Sequence, residues 1–395
     1  MKNNINEFYL KLISISLGFF LSFILFEIFA RLLPATDVFF LELPIQCRDT
    51  KEPDYSCIFR RKKFISGRFI RGKWPPFPID VYKYSNDIGQ FSDINFNQIK
   101  DKNKSFFKII SIGDSFVEAS QVQNKDTFHG ILNKYKSPNK KLVLSTSIGT
   151  AGNSLSQYLL HTIYAEKNVD LDQTTLIIPI IENDFDESFN KYTPGYPGAK
   201  FSLSNTQELI FNERFNNKRT FLNRLLISNS YILRYFLLNR KFTNLLTEYP
   251  LCIVNPKRYC PGIKAIKKNE PFNRIQNLER NKNGKLATDI FLNFLTKIRN
   301  SKEERSKTIF VVDADRRNIY KLSPKDKFFQ IQRQYFINKA IEYGYVIIDL
   351  EEVFKKQFRI NQKRFDFIND RHWNSYGHLI VAEEIIKYLN LEKIK

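Results

Sequence analysis

A short apolar run, FFKIISIGDSFVE from Phe106 to Glu118, stops abruptly at Gly113, Asp114 and Ser115, and beyond it the chain alternates apolar runs with helical periodicity. That alternation constrains the fold more than any other feature. Short apolar runs bounded by turn residues read as buried strands, and they fall at Phe107 to Ile112, Lys141 to Ser147, Thr175 to Ile181, Thr308 to Asp313 and Tyr345 to Leu350. Helical patterns lie around Thr127 to Tyr135, Ser154 to Ala165, Thr288 to Ile298, Phe328 to Glu342 and Tyr376 to Leu389. Parallel neighbours need crossover connections, so strand and helix in repetition predict an α/β domain, a parallel sheet covered by helices on both faces. Polar residues that follow the strands then gather at the carboxyl edge of the sheet, where such folds bind ligands.

The domain carrying this pattern runs over 106–395, and one interval, 185–285 between the third and fourth strands, breaks its rhythm. It is an insertion on the edge where Ser115 emerges, which makes it a candidate substrate-recognition cap. Its apolar segment from Phe221 to Leu238 carries Arg224 and Arg234, so it reads as a packed amphipathic helix before it reads as a membrane span. Residues 35–105, with WPPFP at Trp74 to Pro78, read as an irregular lead-in that covers the sheet edge.

Residues 1–34 read as a cytoplasmic tip and a transmembrane anchor, against the competing reading of a cleaved signal peptide, since the apolar run is long and no clear A-x-A site follows it. From Leu12 to Leu33 the only charges are Glu27 and Arg31, on one helical face, and the run is long enough to span a bilayer core. Glu27 lies near the end of the span, where a pair with Arg31 or snorkelling lowers its cost, and Pro34 stops the helix. The four cysteines form two local sets, Cys47 with Cys57 and Cys252 with Cys260, the pattern of small disulfide loops in an oxidising compartment. The expectation is a single-pass membrane protein whose catalytic body is extracytoplasmic. The net charge of +21 is spread along the chain, with concentrations at Arg60 to Lys63 and Lys264 to Lys268, and suits a solvated surface or anionic headgroups. No zinc-finger spacing or aromatic RNA-binding motif accompanies it, so nucleic acid is not an expected partner. Neither metal-ligand spacing nor a phosphate-cradling glycine loop is present, and no cofactor is expected.

A serine hydroxyl needs a base, and the chain has four histidines. His129 and His161 fall inside helical patterns, and His378 reads as a residue of the last helix. His372 sits just before that helix with Asp370 two positions upstream, where a carboxylate orients the imidazole, and Asp366 is the reserve. Gly113-Asp114-Ser115-Phe116, Gly152, Asn183-Asp184 and Asp370-Arg371-His372-Trp373-Asn374 occur in the order of the blocks of the SGNH/GDSL hydrolase superfamily, which this chain resembles from Phe106 to its C-terminus, the insertion excepted. The resemblance implies a three-layer α/β/α, flavodoxin-like domain. It implies Ser115 as nucleophile, His372 as base and Asp370 as its partner, with an oxyanion hole from the Ser115 amide, the Gly152 amide and the Asn183 side chain. Two departures stand out: the last block is D-x-H rather than D-x-x-H, as in the membrane-associated polysaccharide O-acetyltransferase branch, and STSIGTAGN leaves open whether Gly149 or Gly152 carries the second block.

The function that follows is a membrane-anchored serine esterase or O-acyltransferase acting through an acyl-enzyme on O-acyl, chiefly O-acetyl, groups of an acylated carbohydrate or other small ester. Transfer calls for an acyl-donor membrane partner. The competing readings are a catalytically inactive glycan-binding or scaffold protein of the same fold, and a cytosol-facing phospholipid or thioester hydrolase.

Overall fold

The computed structural model describes residues 2–32, 35–37, 61–71, 79–101, 105–189, 198–201, 209–212, 229–235, 270–322, 327–368 and 370–394. Cys47, Cys57, Cys252 and Cys260 lie outside these residues, as does most of the 185–285 insertion, so the disulfide and cap expectations fall outside them too. The chain divides into two units, one of residues 1–41, 67–80 and 217–267, the other of residues 42–66, 81–216 and 268–395.

The first unit holds the helix Lys2–Ala30. Its stretch Tyr9–Ala30 has a mean hydropathy of 2.3 and is long and apolar enough to cross a membrane. Phe19, Phe26 and Phe29 face outward along it. Glu27, for which a pair with Arg31 or snorkelling was expected, accepts hydrogen bonds from the Ser230 hydroxyl at 2.9 Å and from the Tyr231 N–H. The Arg31 guanidinium lies 5.8 Å from the centroid of the Tyr231 ring. A carboxylate on an apolar helix is thus met by donors from a segment far along the chain.

The second unit is built on a seven-stranded sheet: β1 (Phe106–Gly113), β2 (Tyr135–Lys136), β3 (Leu142–Gly149), β4 (Thr174–Ile180), β5 (Thr308–Val312), β6 (Val346–Asp349) and β7 (Glu392–Lys393). Their order is β6-β5-β4-β1-β3-β2-β7. β6, β5, β4, β1 and β3 are parallel, and β2 and β7 add an antiparallel rim. Counted along the chain, the parallel strands stand in the order 2-1-3-4-5, the flavodoxin-like doubly wound arrangement, whose switch point lies between the first and third of them, β1 and β4. Alternation along the strands divides the core. Ile110 and Ile112 of β1, Leu176 and Ile178 of β4 and Phe310 of β5 face one side, against the helices Leu155–Asn168, Glu270–Ile298 and Phe328–Glu342. Ile109, Ile177, Ile309 and Val311 face the other, against Phe128–Leu132, Leu350–Asn361 and Ser375–Leu389. The domain is therefore three layers, α/β/α.

Local chemistry sets the helix ends. Ser154 and Gln157 form a reciprocal capping box ahead of Leu155–Asn168, Asn374 caps Ser375–Leu389 through the Gly377 N–H, and Gln362 and Asn390 end their helices in the left-handed conformation. The predicted strands are all present. The helix expected from Thr288 is already formed at Glu270, inside the interval assigned to the insertion, while the helix Leu350–Asn361, which follows β6 directly, and the two-residue rim strands were not among the expected elements. Residues 81–101 contribute the short helix Phe96–Lys100, with Phe96 and Ile99 buried in the core, where an irregular lead-in was expected.

Candidate active site

β1 ends at Gly113, and the chain turns at once into the one-turn helix Ser115–Glu118. Asp114 caps that turn, its carboxylate accepting the Phe116 N–H at 2.9 Å. The turn folds back because two strand-end glycines, Gly113 and Gly149, stand side by side in register. A Cβ on Gly113 would lie 2.4 Å from Val117 Cγ2, and one on Gly149 would lie 2.7 Å from Val117 Cβ. Val117 fills the space those side chains would occupy, and Ser115 is left at the carboxyl edge. Burial pushes the Asp114 carboxyl up to about 6.

The Ser115 hydroxyl lies 2.7 Å from His372 Nε2, and His372 Nδ1 meets the Asp370 carboxylate. The imidazole is 23% exposed and the carboxylate 3%, so the ring reaches solvent and the carboxylate does not. Arg371, between them, has φ 65°, a left-handed backbone that non-glycine residues rarely adopt. The loop closes there through the Arg371 N–H on Phe367 C=O and the Phe367 N–H on His372 C=O, so one intervening residue suffices to bring carboxylate and imidazole together. Trp373 anchors the loop by donating its indole N–H to Asp313 at 3.2 Å. Asp366, the reserve partner, accepts from Arg316 at 3.1 Å and Arg364 at 2.9 Å, and Arg316 also donates to the Arg371 carbonyl at 2.7 Å. Phe116 wedges the two halves together, its ring 5.0 Å from both His372 and Trp373.

The other histidines are packing residues. His129 and His161 are fully buried, which drives them down to about 3 and about 4, and burial likewise holds His378 neutral while its Nδ1 accepts the Phe128 N–H. Gly149 and Gly152 have separate jobs. Gly149 makes room for Val117, whereas Gly152, at φ 83°, lets the 150–153 turn close, with the Asn153 N–H on Thr150 C=O at 3.1 Å. The N–H groups of Ser115 and Gly152 make no hydrogen bond to other described residues. Asn183 lies on the turn Glu182–Asp184 that follows β4, its amide donating to Glu187 at 2.9 Å. That turn is fixed by Asp184, which accepts the Tyr158 hydroxyl and the Ile181 N–H, each at 2.7 Å. β1, β3 and β4 are adjacent and parallel, so the loops holding Ser115, Gly152 and Asn183 leave the same sheet edge.

Two contributors escaped the sequence reading. Glu118 accepts from Arg61 Nη2 at 2.6 Å with one oxygen and from the Ala151 N–H at 2.6 Å with the other, tying the Ser115 turn to the Gly152 turn. Burial opposes its charge, yet Arg61 and Ala151 hold the carboxyl below its ordinary value. Gln121, buried, donates to Asp370 at 2.9 Å. Glu118 stands inside the motif, but nothing local connects it to Arg61, and Gln121 meets its partner across the whole domain. A cavity of about 330 Å³ opens beside the His372 loop, lined among others by Arg316, Tyr320, Phe329, Arg364 and Arg371.

No family model and no curated protein matches the sequence. Among solved structures, a lipolytic protein of the G-D-S-L family from Veillonella parvula is 11% identical, with 71% of this chain and 96% of that one covered at a TM-score of 0.36. A two-domain esterase active on acetylated mannans is 10% identical, covering 75% and 52% at 0.35. An acetylxylan esterase from Geobacillus stearothermophilus is 12% identical, covering 73% and 96% at 0.34. The chain is similar to solved structures of lipolytic G-D-S-L proteins and of carbohydrate acetyl esterases, at 10% to 12% identity.

Proposed function

We propose that this chain is a membrane-anchored serine hydrolase or O-acyltransferase of the SGNH/GDSL superfamily, with Ser115 as nucleophile, His372 as base and Asp370 orienting it. The observation that carries the reading is the Ser115 hydroxyl at 2.7 Å from the one solvent-reaching imidazole among the described residues, whose other nitrogen is held by a buried carboxylate. His372 takes the Ser115 proton as the oxygen attacks an acyl carbonyl, then returns it to the departing alcohol, leaving an acyl-enzyme. The Ser115 and Gly152 N–H groups and the Asn183 amide face the developing oxyanion; the Asn183 hydrogen not given to Glu187 is the one available to it. Water completes hydrolysis, and a sugar hydroxyl completes transfer, in which case a membrane partner supplies the acyl donor.

The substrate class is an O-acetylated carbohydrate. A hollow of about 330 Å³ beside the loop bearing His372, whose lining mixes Tyr320 and Phe329 with arginines and the carboxylates Glu182, Asp315 and Asp366, offers polar and aromatic groups of the kind a carbohydrate meets. The helix Tyr9–Ala30, long and apolar enough to cross a membrane, is the anchor in this reading, and the two local cysteine sets put the catalytic body on the oxidising, extracytoplasmic side. A fluorophosphonate probe tests the chemistry: modification at Ser115 is expected, and its absence from the wild-type protein would overturn the reading. Release of acetate from p-nitrophenyl acetate, with and without oligosaccharide acceptors, separates hydrolysis from transfer.

A further inference from the structure

We infer that Gln121 is a positioning residue for the catalytic base, its side-chain N–H holding the Asp370 carboxylate in the orientation that receives the His372 Nδ1–H. The inference rests on the reading of Ser115, His372 and Asp370 just given. Gln121 is 5% exposed, and its Nε2 lies 2.9 Å from Asp370 Oδ1 and 3.0 Å from His372 Nδ1. Its segment is strapped from behind by Lys83, whose buried ammonium donates to the Ala119 carbonyl at 3.0 Å and the Val122 carbonyl at 2.7 Å, on either side of Gln121.

Proton counting decides which way the amide faces. If His372 Nε2 accepts from Ser115, the imidazole proton sits on Nδ1 and points at Asp370. Two donors, Nδ1–H and the Gln121 N–H, then converge on one carboxylate oxygen, and the short approach between the two nitrogens is the geometric result. Turning the amide over would set Gln121 Oε1 against an ionised carboxylate oxygen with no proton between them. With nitrogen inward, Oε1 is buried with no hydrogen-bond partner among the described residues. The donated hydrogen bond holds the carboxylate plane fixed and draws charge from it, so its loss would leave Asp370 a stronger partner for a protonated imidazole. Asp114 below Ser115, Arg316 across Phe116 and the buried, neutral His378 are the other charged or titratable groups near the imidazole, and none of them is altered by changes at Gln121.

The test is the pH dependence of the rate at which a fluorophosphonate modifies Ser115 in the full-length chain, for wild type, Gln121→Leu and Gln121→Glu. Gln121→Leu is expected to slow modification about tenfold, since a misplaced base loses much of its effect. The acid limb of its profile moves up by roughly half a unit to one unit. Gln121→Glu, which sets a second carboxyl against Asp370, moves the limb further in the same direction. A limb that stays in place or moves down in either folded variant, or a Gln121→Leu rate within about twofold of wild type, makes Gln121 a packing residue and leaves the triad standing. A wild-type protein not modified at Ser115 overturns the triad and the role of Gln121 with it.

Discussion

The two halves of the candidate site are held by different kinds of force. Ser115 and the turn bearing Gly152 come off adjacent parallel strands, and their positions follow from register, from two missing side chains at Gly113 and Gly149 and from Val117 packed into the space. The half carrying Asp370 and His372 is a loop held by directional polar contacts: Trp373 on Asp313, Asp366 between two arginines, and Gln121 on Asp370. Damage to the first half therefore costs folding as well as chemistry. Damage to the second costs chemistry while the sheet survives.

The largest expected effect sharpens this contrast. His372→Ala is expected to lower turnover by on the order of a millionfold, because nucleophile and base act as a unit, while the thermal midpoint stays close to wild type. A large fall in the midpoint, measured by circular dichroism, would show that the loop supports the fold after all. Asn183→Ala, on a turn already fixed by Asp184 and Tyr158, is expected to reduce turnover about a hundred- to a thousandfold with little change in stability. Steady-state kinetics on p-nitrophenyl acetate check it, and activity within a few fold of wild type would remove Asn183 from the oxyanion hole.

Gly149→Ala addresses the packed half. Its Cβ would meet Val117 at 2.7 Å, so a loss of roughly 1–3 kcal/mol in denaturant unfolding is expected, with Gly149→Ala plus Val117→Ala recovering part of it. Strict additivity of the two changes would break the packing account. The smallest effect is electrostatic. Asp114 is raised to about 6 in the folded protein, so its contribution to stability is fully present below the ordinary carboxylate value and is lost as pH climbs through about 6. Asparagine keeps the cap without the buried charge. Asp114→Asn is therefore expected to gain stability over wild type as pH rises from 4 to 7, and to hold that gain at higher pH. A difference independent of pH, followed by urea melts, would place the Asp114 titration elsewhere.

Sequence alone determined the elements whose causes are local. Apolar runs of strand length, helical periodicity between them and a Gly-Asp-Ser break at the end of the first strand are written in neighbouring residues, and so predict the parallel three-layer domain and the edge from which Ser115 projects. The same locality made His372 and Asp370 readable, since they stand two positions apart, and it exposed the apolar helix near the start of the chain. Only the tertiary structure decided the rest. Whether Gly149 or Gly152 shapes the second turn depends on where Val117 packs, the occupation of Asp366 depends on Arg316 and Arg364, and the donors to Glu27 come from residues 230–232. Gln121 and Asp370, in contact across 249 positions of sequence, carry no periodicity or spacing that could announce them. Hydrogen bonds of this kind are set by where the sheet brings its loops together, and that placement exists only once the chain has folded.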